Sequence, residues 1–552
     1  MVKRRSQKTY DCEQFLDEVH SCLIDDLMPS RRNWFGFRNY TGPSYDKASP
    51  YMFKCHAQLE KFFKRIVTSR DKTFDELRHK GLLDFVKSQE SFGLPQVLTE
   101  RATRVLSRAK AIVGEILGEF DYIEFTKYCS FGKKAARHLP LAESYLDVRV
   151  CRLGGSKTQQ EWFKFCLGND IHLNRACRRH VMHMRDVRDI ELHAVPKAFD
   201  KVRIIAPDTT IGGFLSRGLG AYFRDKLEDG TKLNLASQQS KHKRIALESS
   251  LTGFMATLDE TKASDSFVWD HIVALVPDSW LPVIDVVRTP KVGFKLIPED
   301  ENSQVFVDLR SVMLMGSGHT FPLQTLLFYS LTKAVIELSG DHTQVNVYGD
   351  DIICRAKLAP RVIICLEELG FTVNREKSFW TGHFRESCGG DYHTGVDVRP
   401  FMLEIDSTVR LSHHQYVALH HKIANGLMER WDPVEIPSTY NFILTHLLML
   451  DKRINVVPDY EGADAGIKYV PLAYRSIATF PFIRDSILCY RKLSQRSKRR
   501  RPKGERVYYW YALRPKGKTD PFVDDSVSRL DKRGSEVMKG SHRYGWVANW
   551  TD

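Results

Sequence analysis

No stretch of the 552 residues approaches the ~18–20 consecutive apolar residues of a membrane span, so no membrane-spanning helix is predicted. Met1-Val2-Lys3-Arg4-Arg5 is basic like the start of a secretory leader. Gln7-Lys8-Thr9-Tyr10-Asp11 comes next in place of an apolar stretch, and the expectation is a chain that is not secreted. No two of the 11 cysteines are spaced Cys-x-x-Cys. An odd, scattered set excludes a disulfide framework or a zinc ribbon and fits reduced thiols. The histidine pairs His180/His183, His413/His414 and His420/His421 are joined neither by cysteines nor in a His-Glu-x-x-His pattern, so zinc binding is not expected. No internal repeat of ~20–50 residues is present, which excludes solenoids and propellers.

Acid is the scarcer charge. Lys plus Arg is 82 against 68 Asp plus Glu, a net of +14. Such an excess aids solubility, and it also points to a polyanionic partner, most often nucleic acid. Apolar residues make up 42% and aromatics 11%, enough for a folded core and too much for wholesale disorder. The length allows roughly three or four domain-sized units.

The first ~190 residues read as mainly helical. Leu98, Ala102, Val105, Ala109, Ile112, Val113 and Ile116 recur at steps of three and four, one apolar helix face. Arg101, Arg104, Arg108 and Lys110 read as its solvated face. Between 172 and 226 the chain turns basic, with Arg175, Arg178, Arg179, Arg185, Arg188, Lys197, Lys201, Arg203, Arg217 and Arg224. From 250 to 400 short strands alternate with well-marked helices, and helical patterns return after 405. Arg491 to Lys503 holds eight basic residues and no acid, with Pro502-Lys503-Gly504 breaking regular structure. An exposed loop or arm is expected there. Arg496, Lys498, Arg499, Arg500 and Arg501 are its candidate RNA contacts.

The central region reads as a small α+β unit. A strand is expected over Gly253–Leu258, ending at Asp259. A helix is expected over Pro322–Leu338, with Gly340 just beyond it. Val345, Val347, Ile352 and Cys354 alternate around a Gly349-Asp350 turn, the pattern of a hairpin. A second helix, Pro360–Leu369, is closed by Gly370, and Phe371-Thr372-Val373 reads as a last strand. This order predicts a ferredoxin-like antiparallel sheet backed by two helices.

Tyr348-Gly349-Asp350-Asp351 occupies the hairpin turn. Adjacent carboxylates repel and are costly to bury without cations. A string of this kind arises by chance in only about one chain in a few hundred. If the strand ending at Asp259 is a neighbour, three hard oxygen ligands converge, a set that suits Mg²⁺. Two such ions ~3.5–4 Å apart activate an attacking 3′-hydroxyl and stabilise a leaving pyrophosphate. The plainer alternative is a solvent-exposed acidic turn.

The hairpin is similar to motif C of RNA-dependent RNA polymerases. Ala256-Thr257-Leu258-Asp259-Glu260-Thr261-Lys262-Ala263-Ser264-Asp265-Ser266 resembles their motif A, which implies that Asp259 binds metal and Asp265 lies near the incoming ribose. Met315-Gly316-Ser317-Gly318-His319-Thr320, followed by Gln324, resembles motif B, with Met315-Gly316 where many such enzymes have Ser-Gly and Gln324 where they have Asn. Gly316, Thr320 and Gln324 are thereby candidate nucleotide contacts. Gly349, in place of a larger residue, favours an RNA polymerase over a reverse transcriptase.

The closer resemblance is to the replicases of single-stranded RNA bacteriophages, the leviviruses. Phe384-Arg385-Glu386-Ser387-Cys388-Gly389 and Gly395-Val396-Asp397-Val398-Arg399-Pro400-Phe401 resemble their motif E region. Val195-Pro196-Lys197 with Arg203 resembles their nucleotide-entry motif, and Asn374-Arg375-Glu376-Lys377 their motif D. The likeness is dense from 194 to 402. It implies Lys377 as general acid for the departing pyrophosphate, with Lys197 and Arg203 neutralising triphosphate charge. Cys388 has no identifiable histidine partner and reads as core packing.

The resemblance implies a right-hand polymerase with fingers, palm and thumb. Residues 1–244 would hold the N-terminal region and fingers, with a basic entry segment at 194–226. Residues 245–402 would form the palm, 403–490 a helical thumb and 491–552 a basic C-terminal segment. The implied activity is RNA-templated RNA synthesis from ribonucleoside triphosphates with two Mg²⁺ ions, Mn²⁺ being a substitute. The implied partners are template RNA, the host elongation factors Tu and Ts and a small-subunit ribosomal protein. The implied setting is the cytoplasm of an infected bacterium. A reverse transcriptase, a capsidless mitochondrial RNA-virus polymerase and a non-catalytic basic RNA-binding protein are the alternatives. The motif E likeness argues against the first two, and intact Asp259, Asp350 and Asp351 against the third.

Overall fold

The apolar repeat that starts at Leu98 becomes the helix Glu100–Leu117 in a computed structural model of the chain. Thr99 caps it, its hydroxyl accepting from the Ala102 N–H at 3.1 Å. Ala102, Val105, Ala109, Ile112 and Val113 are buried along one stripe. The structure describes residues 9–29, 49–69, 71–132, 135–137, 139, 146–187, 189–297, 299–484, 487–495, 498–500, 536–538 and 542–550. They are mixed helix and sheet, and no helix among them is long and apolar enough to cross a membrane.

The expected solvated face of that helix is exposed at Arg101, Arg104 and Lys110 and half-buried at Arg108. Arg101 pairs with Glu368 and Arg108 with Glu337, because the helices Ala359–Glu368 and Thr320–Leu338 lie alongside. Arg104 and Lys110 make only long, exposed pairs, 3.7 Å to Glu100 and 3.9 Å to Asp278. Pairs so exposed contribute at most about 1 kcal/mol each. Packing dominates instead. The main core runs from this helix through Thr210–Thr231 to the central sheet. Trp280 is fully buried in it, stacked on Phe223 and Tyr222 at 5.1 Å from each, with Phe120 edge-on at 4.9 Å. Its Nε1–H donates to the Gly118 carbonyl at 2.9 Å, so the indole is buried without an orphan donor.

The central sheet runs Asn346–Tyr348, Asp351–Arg355, Met255–Leu258, all antiparallel. The expected strand at 371–373 is reduced to a single bridge, Val373 to Glu260, with a second bridge from Phe379 to Thr257. The intervening residues turn inward to bond Asp259, so no ladder can extend. With that bridge counted, the order is the one expected for the ferredoxin-like arrangement. The helices Thr320–Leu338 and Ala359–Glu368 share the sheet's core. The first begins two residues before Pro322, which stands in the first turn, where a missing N–H costs nothing.

A second core does not follow chain order. The helices Glu13–Leu27 and Pro50–Lys61 bury their apolar faces against His413–Met428 and Pro437–Asp451. Phe15 stacks on His420 at 3.9 Å between ring centroids. The Asp26 carboxylate accepts from the Ser438 and Thr439 N–H groups at 3.0 and 2.8 Å, capping the last of these helices. The division at 244 and 403 expected from the sequence therefore cuts across this core.

The expected loop from Arg491 to Lys503 is also corrected over 491–495 and 498–500, the part of it among the described residues. Ile487–Gln495 is a strand paired antiparallel with His542–Trp550, and Lys498–Arg500 pairs with Glu536–Met538. The ladder's partner lies some fifty residues downstream, beyond the reach of local pattern. Lys498, Arg499 and Arg500 are thus strand residues, while Arg496 and Arg501 lie outside the described residues.

Trp280→Ala should cost about 3–5 kcal/mol by emptying the aromatic stack. Urea unfolding followed by circular dichroism measures it, with Trp280→Phe expected to lose less.

Candidate active site

Gly349 and Asp350 form the two-residue turn between Tyr348 and Asp351. Gly349 has φ 66, and a Cβ there would stand 2.5 Å from the Phe321 ring. Both backbone and space therefore demand glycine. Its N–H donates to Thr325 Oγ1 at 2.9 Å, and the Thr325 hydroxyl donates to the Phe321 carbonyl at 2.8 Å. The helix Thr320–Leu338 thus holds the turn that presents Asp350, which is exposed at the tip.

Ile352 pairs with Leu258, so the next step along the antiparallel ladder sets Asp351 opposite Asp259. Each carboxylate is gripped by a separate stretch of chain. Asp259 Oδ2 accepts from Asn374 Nδ2 at 3.0 Å and lies 3.7 Å from Lys377 Nζ. Its N–H donates to Ser378 Oγ at 3.1 Å, and its carbonyl accepts from the Asn374 N–H at 2.8 Å. Asp351 Oδ1 accepts from Ser387 Oγ at 3.3 Å, and Oδ2 from the Cys388 N–H at 3.3 Å and Sγ at 3.5 Å. Cys388 has φ 50, a left-handed conformation that turns its N–H toward Asp351. The reading of Cys388 as core packing is corrected: it is half-buried and donates to a carboxylate. Burial and the Asp351 charge hold its thiol well above the ordinary range, so it stays a neutral donor.

Burial pushes the Asp351 carboxyl up to about 7, and the neighbouring Asp350 charge adds to it. Burial also raises Asp259; Asp350 adds to the rise while Lys377 and Asn374 oppose it. Crowded carboxylates of this kind favour a divalent cation, which removes the repulsion. They are not drawn into a finished cage. Among the described residues no three His, Cys, Asp or Glu side chains are grouped closely enough to hold an ion, and Asn374, Ser387 and Cys388 supply the donors instead. Glu260, which no sequence pattern singles out, is buried beside Asp259. Burial and that neighbour hold it well above the carboxylate range.

The basic segment forms a hairpin of His193–Ala198 and Lys201–Ile205, with Val195 opposite Arg203 and a bulge between Pro196 and Ala198 that contains Lys197. Partial burial and the like charges of Arg203 and Lys377 push the Lys197 ammonium down, while Asp259 and Asp350 oppose this. Cations and carboxylates thus share one field. Lys64, unmarked by any motif, joins it. Its carbonyl accepts from the Phe199 N–H at 3.3 Å in the hairpin's turn, and burial, Lys61 and Lys377 lower its pKa.

The loop 315–319 lies against the helix Thr210–Thr231. Gly316 has φ 119, and a Cβ there would stand 2.7 Å from the Ala206 carbonyl oxygen. Ser317 Oγ donates to Asp208 at 2.9 Å. Thr320 is buried and its hydroxyl donates to the Leu314 carbonyl at 2.8 Å; Gln324 is buried too. Asp265 is pushed up to about 6 by burial, against a weak bond from Ser264 Oγ at 3.3 Å. Its carbonyl accepts from Ser311 Oγ, which Gln89 also holds. Asn374 and Ser378 hold Asp259 from the irregular stretch 374–378, and Ser387 reaches Asp351 from the end of the strand Phe384–Ser387.

A family model described as RNA replicase, beta-chain, matches residues 90–535. The chain is 35% identical over 280 residues to the RNA-directed RNA polymerase subunit beta of Escherichia virus Qbeta, covering 49% of this chain and 44% of that protein. It is 34% identical over 213 residues to the RNA-directed RNA polymerase beta chain of Escherichia phage MS2, covering 38% and 37%. The chain therefore spans less than half the length of these relatives. The crystal structure of the RNA-dependent RNA polymerase of a human picorbirnavirus overlaps it with a TM-score of 0.41 at 13% identity, covering 81% of this chain and 85% of that one.

Gly349→Ala should destabilise the protein by roughly 1–3 kcal/mol, from left-handed strain and contact with Phe321. A thermal melt checks it, and Phe321→Ala in the same protein should recover part of the loss.

Proposed function

The chain belongs to the RNA replicase beta-chain family, and from that premise we propose that it copies an RNA template from ribonucleoside triphosphates. One observation carries the reading: Asp259 and Asp351 face each other at a ladder's end, Asp350 stands on the adjoining turn, and a cationic hairpin shares their field. Crowded, mutually repelling carboxylates, half-buried at Asp259 and Asp351 and exposed at Asp350, offer the oxygen ligands that fit Mg²⁺. Two bound ions would activate the attacking 3′-hydroxyl and stabilise the leaving pyrophosphate.

The remaining roles belong to the chain's own side chains. Lys197 and Arg203 bind and neutralise the triphosphate. Lys377, beside Asp259, supplies a proton to the departing pyrophosphate. Asp265 faces the ribose, and Gly316, Thr320 and Gln324 shape the pocket from the loop and helix behind it. In this reading 245–402 is the palm, 1–244 carries the fingers and 403–490 is the thumb. The ferredoxin-like strand order supports the palm in outline, while the second core joins the first two helices to those of 403–490. The relatives named as subunits belong to assemblies. For this chain the proposed partners are elongation factors Tu and Ts and a small-subunit ribosomal protein, in the cytoplasm of an infected bacterium.

Asp350→Asn should abolish nucleotide incorporation while leaving the fold intact, since an exposed carboxylate among carboxylates contributes no stability to the metal-free protein. A thermal melt paired with a primer-free RNA synthesis assay tests it, and a folded variant that synthesises RNA at the wild-type rate would overturn the assignment. Ribonucleotides and deoxynucleotides supplied separately in that assay distinguish an RNA polymerase from a reverse transcriptase.

Arg203→Ala should raise KM for nucleotides by about tenfold or more and slow turnover, through loss of a charge-assisted phosphate contact. Template binding, measured without nucleotide, should stay near wild type.

A further inference from the structure

One buried imidazole stands behind the carboxylate that opens the strand Asp351–Arg355. His242 lies in the helix Gln238–Thr252, which packs over the strands Phe384–Ser387 and Gly390–His393. It is fully buried. Its Nδ1 is 2.9 Å from Ser387 Oγ, and Ser387 Oγ is 3.3 Å from Asp351 Oδ1. Its Nε2 is buried with no hydrogen-bond partner among the described residues. The proposed polymerase reaction gives this histidine nothing to do.

The donor inventory fixes the direction of the chain of bonds. Ser387 has one hydroxyl hydrogen, and Asp351, ionised when it holds a cation, can only accept. That hydrogen therefore goes to Asp351, and the serine oxygen accepts from Nδ1–H. Burial lowers the imidazole to about 3, so the ring is neutral and carries a single hydrogen. Placing it on Nδ1 leaves Nε2 bare, and Nε2 is the nitrogen without a partner. The other tautomer would bury an unpaired N–H and turn the serine hydrogen onto Nδ1, which loses the bond to Asp351.

We propose that His242 is a positioning residue for Asp351, acting through Ser387 to fix the orientation of its Oδ1 and thereby the site's affinity for a divalent cation. The proposal rests on the reading of Asp351 as a ligand. Asp351 Oδ2 is anchored to the backbone N–H of Cys388, which no side-chain change removes. Without Ser387 held in place, the carboxylate is free to pivot about that anchor. Outer groups that orient a ligating side chain are worth about 10–100-fold in metal affinity.

The test titrates the purified, metal-free full chain with Mn²⁺ and follows the free ion by electron paramagnetic resonance. His242→Leu should weaken Mn²⁺ binding about tenfold, and His242→Asn, whose amide offers a donor near the Nδ1 position, should stay within about threefold of wild type. Ser387→Ala should match His242→Leu, and the double variant should be no weaker than either alone. A purely structural role would not separate Asn from Leu in Mn²⁺ affinity. A folded His242→Leu protein with wild-type affinity, an Asn variant no better than Leu, or an unchanged Ser387→Ala would each overturn the proposal. Should the Leu variant not fold, Ser387→Ala and His242→Asn decide the matter by themselves. Asp350→Asn separates the two readings. If it loses Mn²⁺ while the His242 and Ser387 variants keep it, the relay alone fails. If the wild-type protein takes up no Mn²⁺, the metal reading fails and the relay with it.

Discussion

Ile352 pairs with Leu258, and one step further along the same ladder two carboxylates come face to face. That register is the constraint on which the surroundings depend. Like charges at the end of a sheet push its strands apart unless something holds them. Three stretches do so here: Asn374 and Ser378 on Asp259, Ser387 and Cys388 on Asp351, and Thr325 on the turn between. Each comes from a different part of the chain, and together they fix the sheet's acidic end from three sides.

The cations repeat the problem with the opposite sign. Lys197 is destabilised by Arg203 and Lys377, and Lys64 by Lys61 and Lys377. Acids crowd acids, bases crowd bases, and the two groups adjoin without neutralising one another: the Lys377–Asp259 pair stands at 3.7 Å with the lysine half exposed. A ligand that carries divalent cations to one group and phosphates to the other relieves both at once. Electrostatic preorganisation of this kind is a cost carried by the empty protein and recovered on binding.

Legibility in the sequence tracks the range of the interaction. The hairpin, the helices after 320 and 359 and the strand before Asp259 are readable because alternation, capping and turn residues are local. So are the three aspartates. Phe371–Val373 has the pattern of a strand and is only a bridge, because Asn374, the next residue, is drawn to Asp259. Residues 491–495 have the pattern of a loop and form a strand, because their partner lies far downstream. Cys388 reads as inert because nothing in its neighbours announces φ 50. Lys64 and His242 act through packing between elements, which no pattern along the chain records.

The second core has a consequence for how the protein is made. Its first half, the helices Glu13–Leu27 and Pro50–Lys61, is synthesised long before Pro437–Asp451, which covers it. Roughly 390 residues separate them, about 20–80 s of translation at ~5–20 residues per second. Throughout that interval Phe15, Leu16, Val19 and Leu23 lack the cover that Pro437–Asp451 supplies. The nascent chain must either keep this face occupied by something else or leave it exposed, and closure waits on the ribosome. A premature stop between residues 352 and 412 would yield Asp259, Asp350 and Asp351 in a chain whose opening helices lack both of the later helices they pack against.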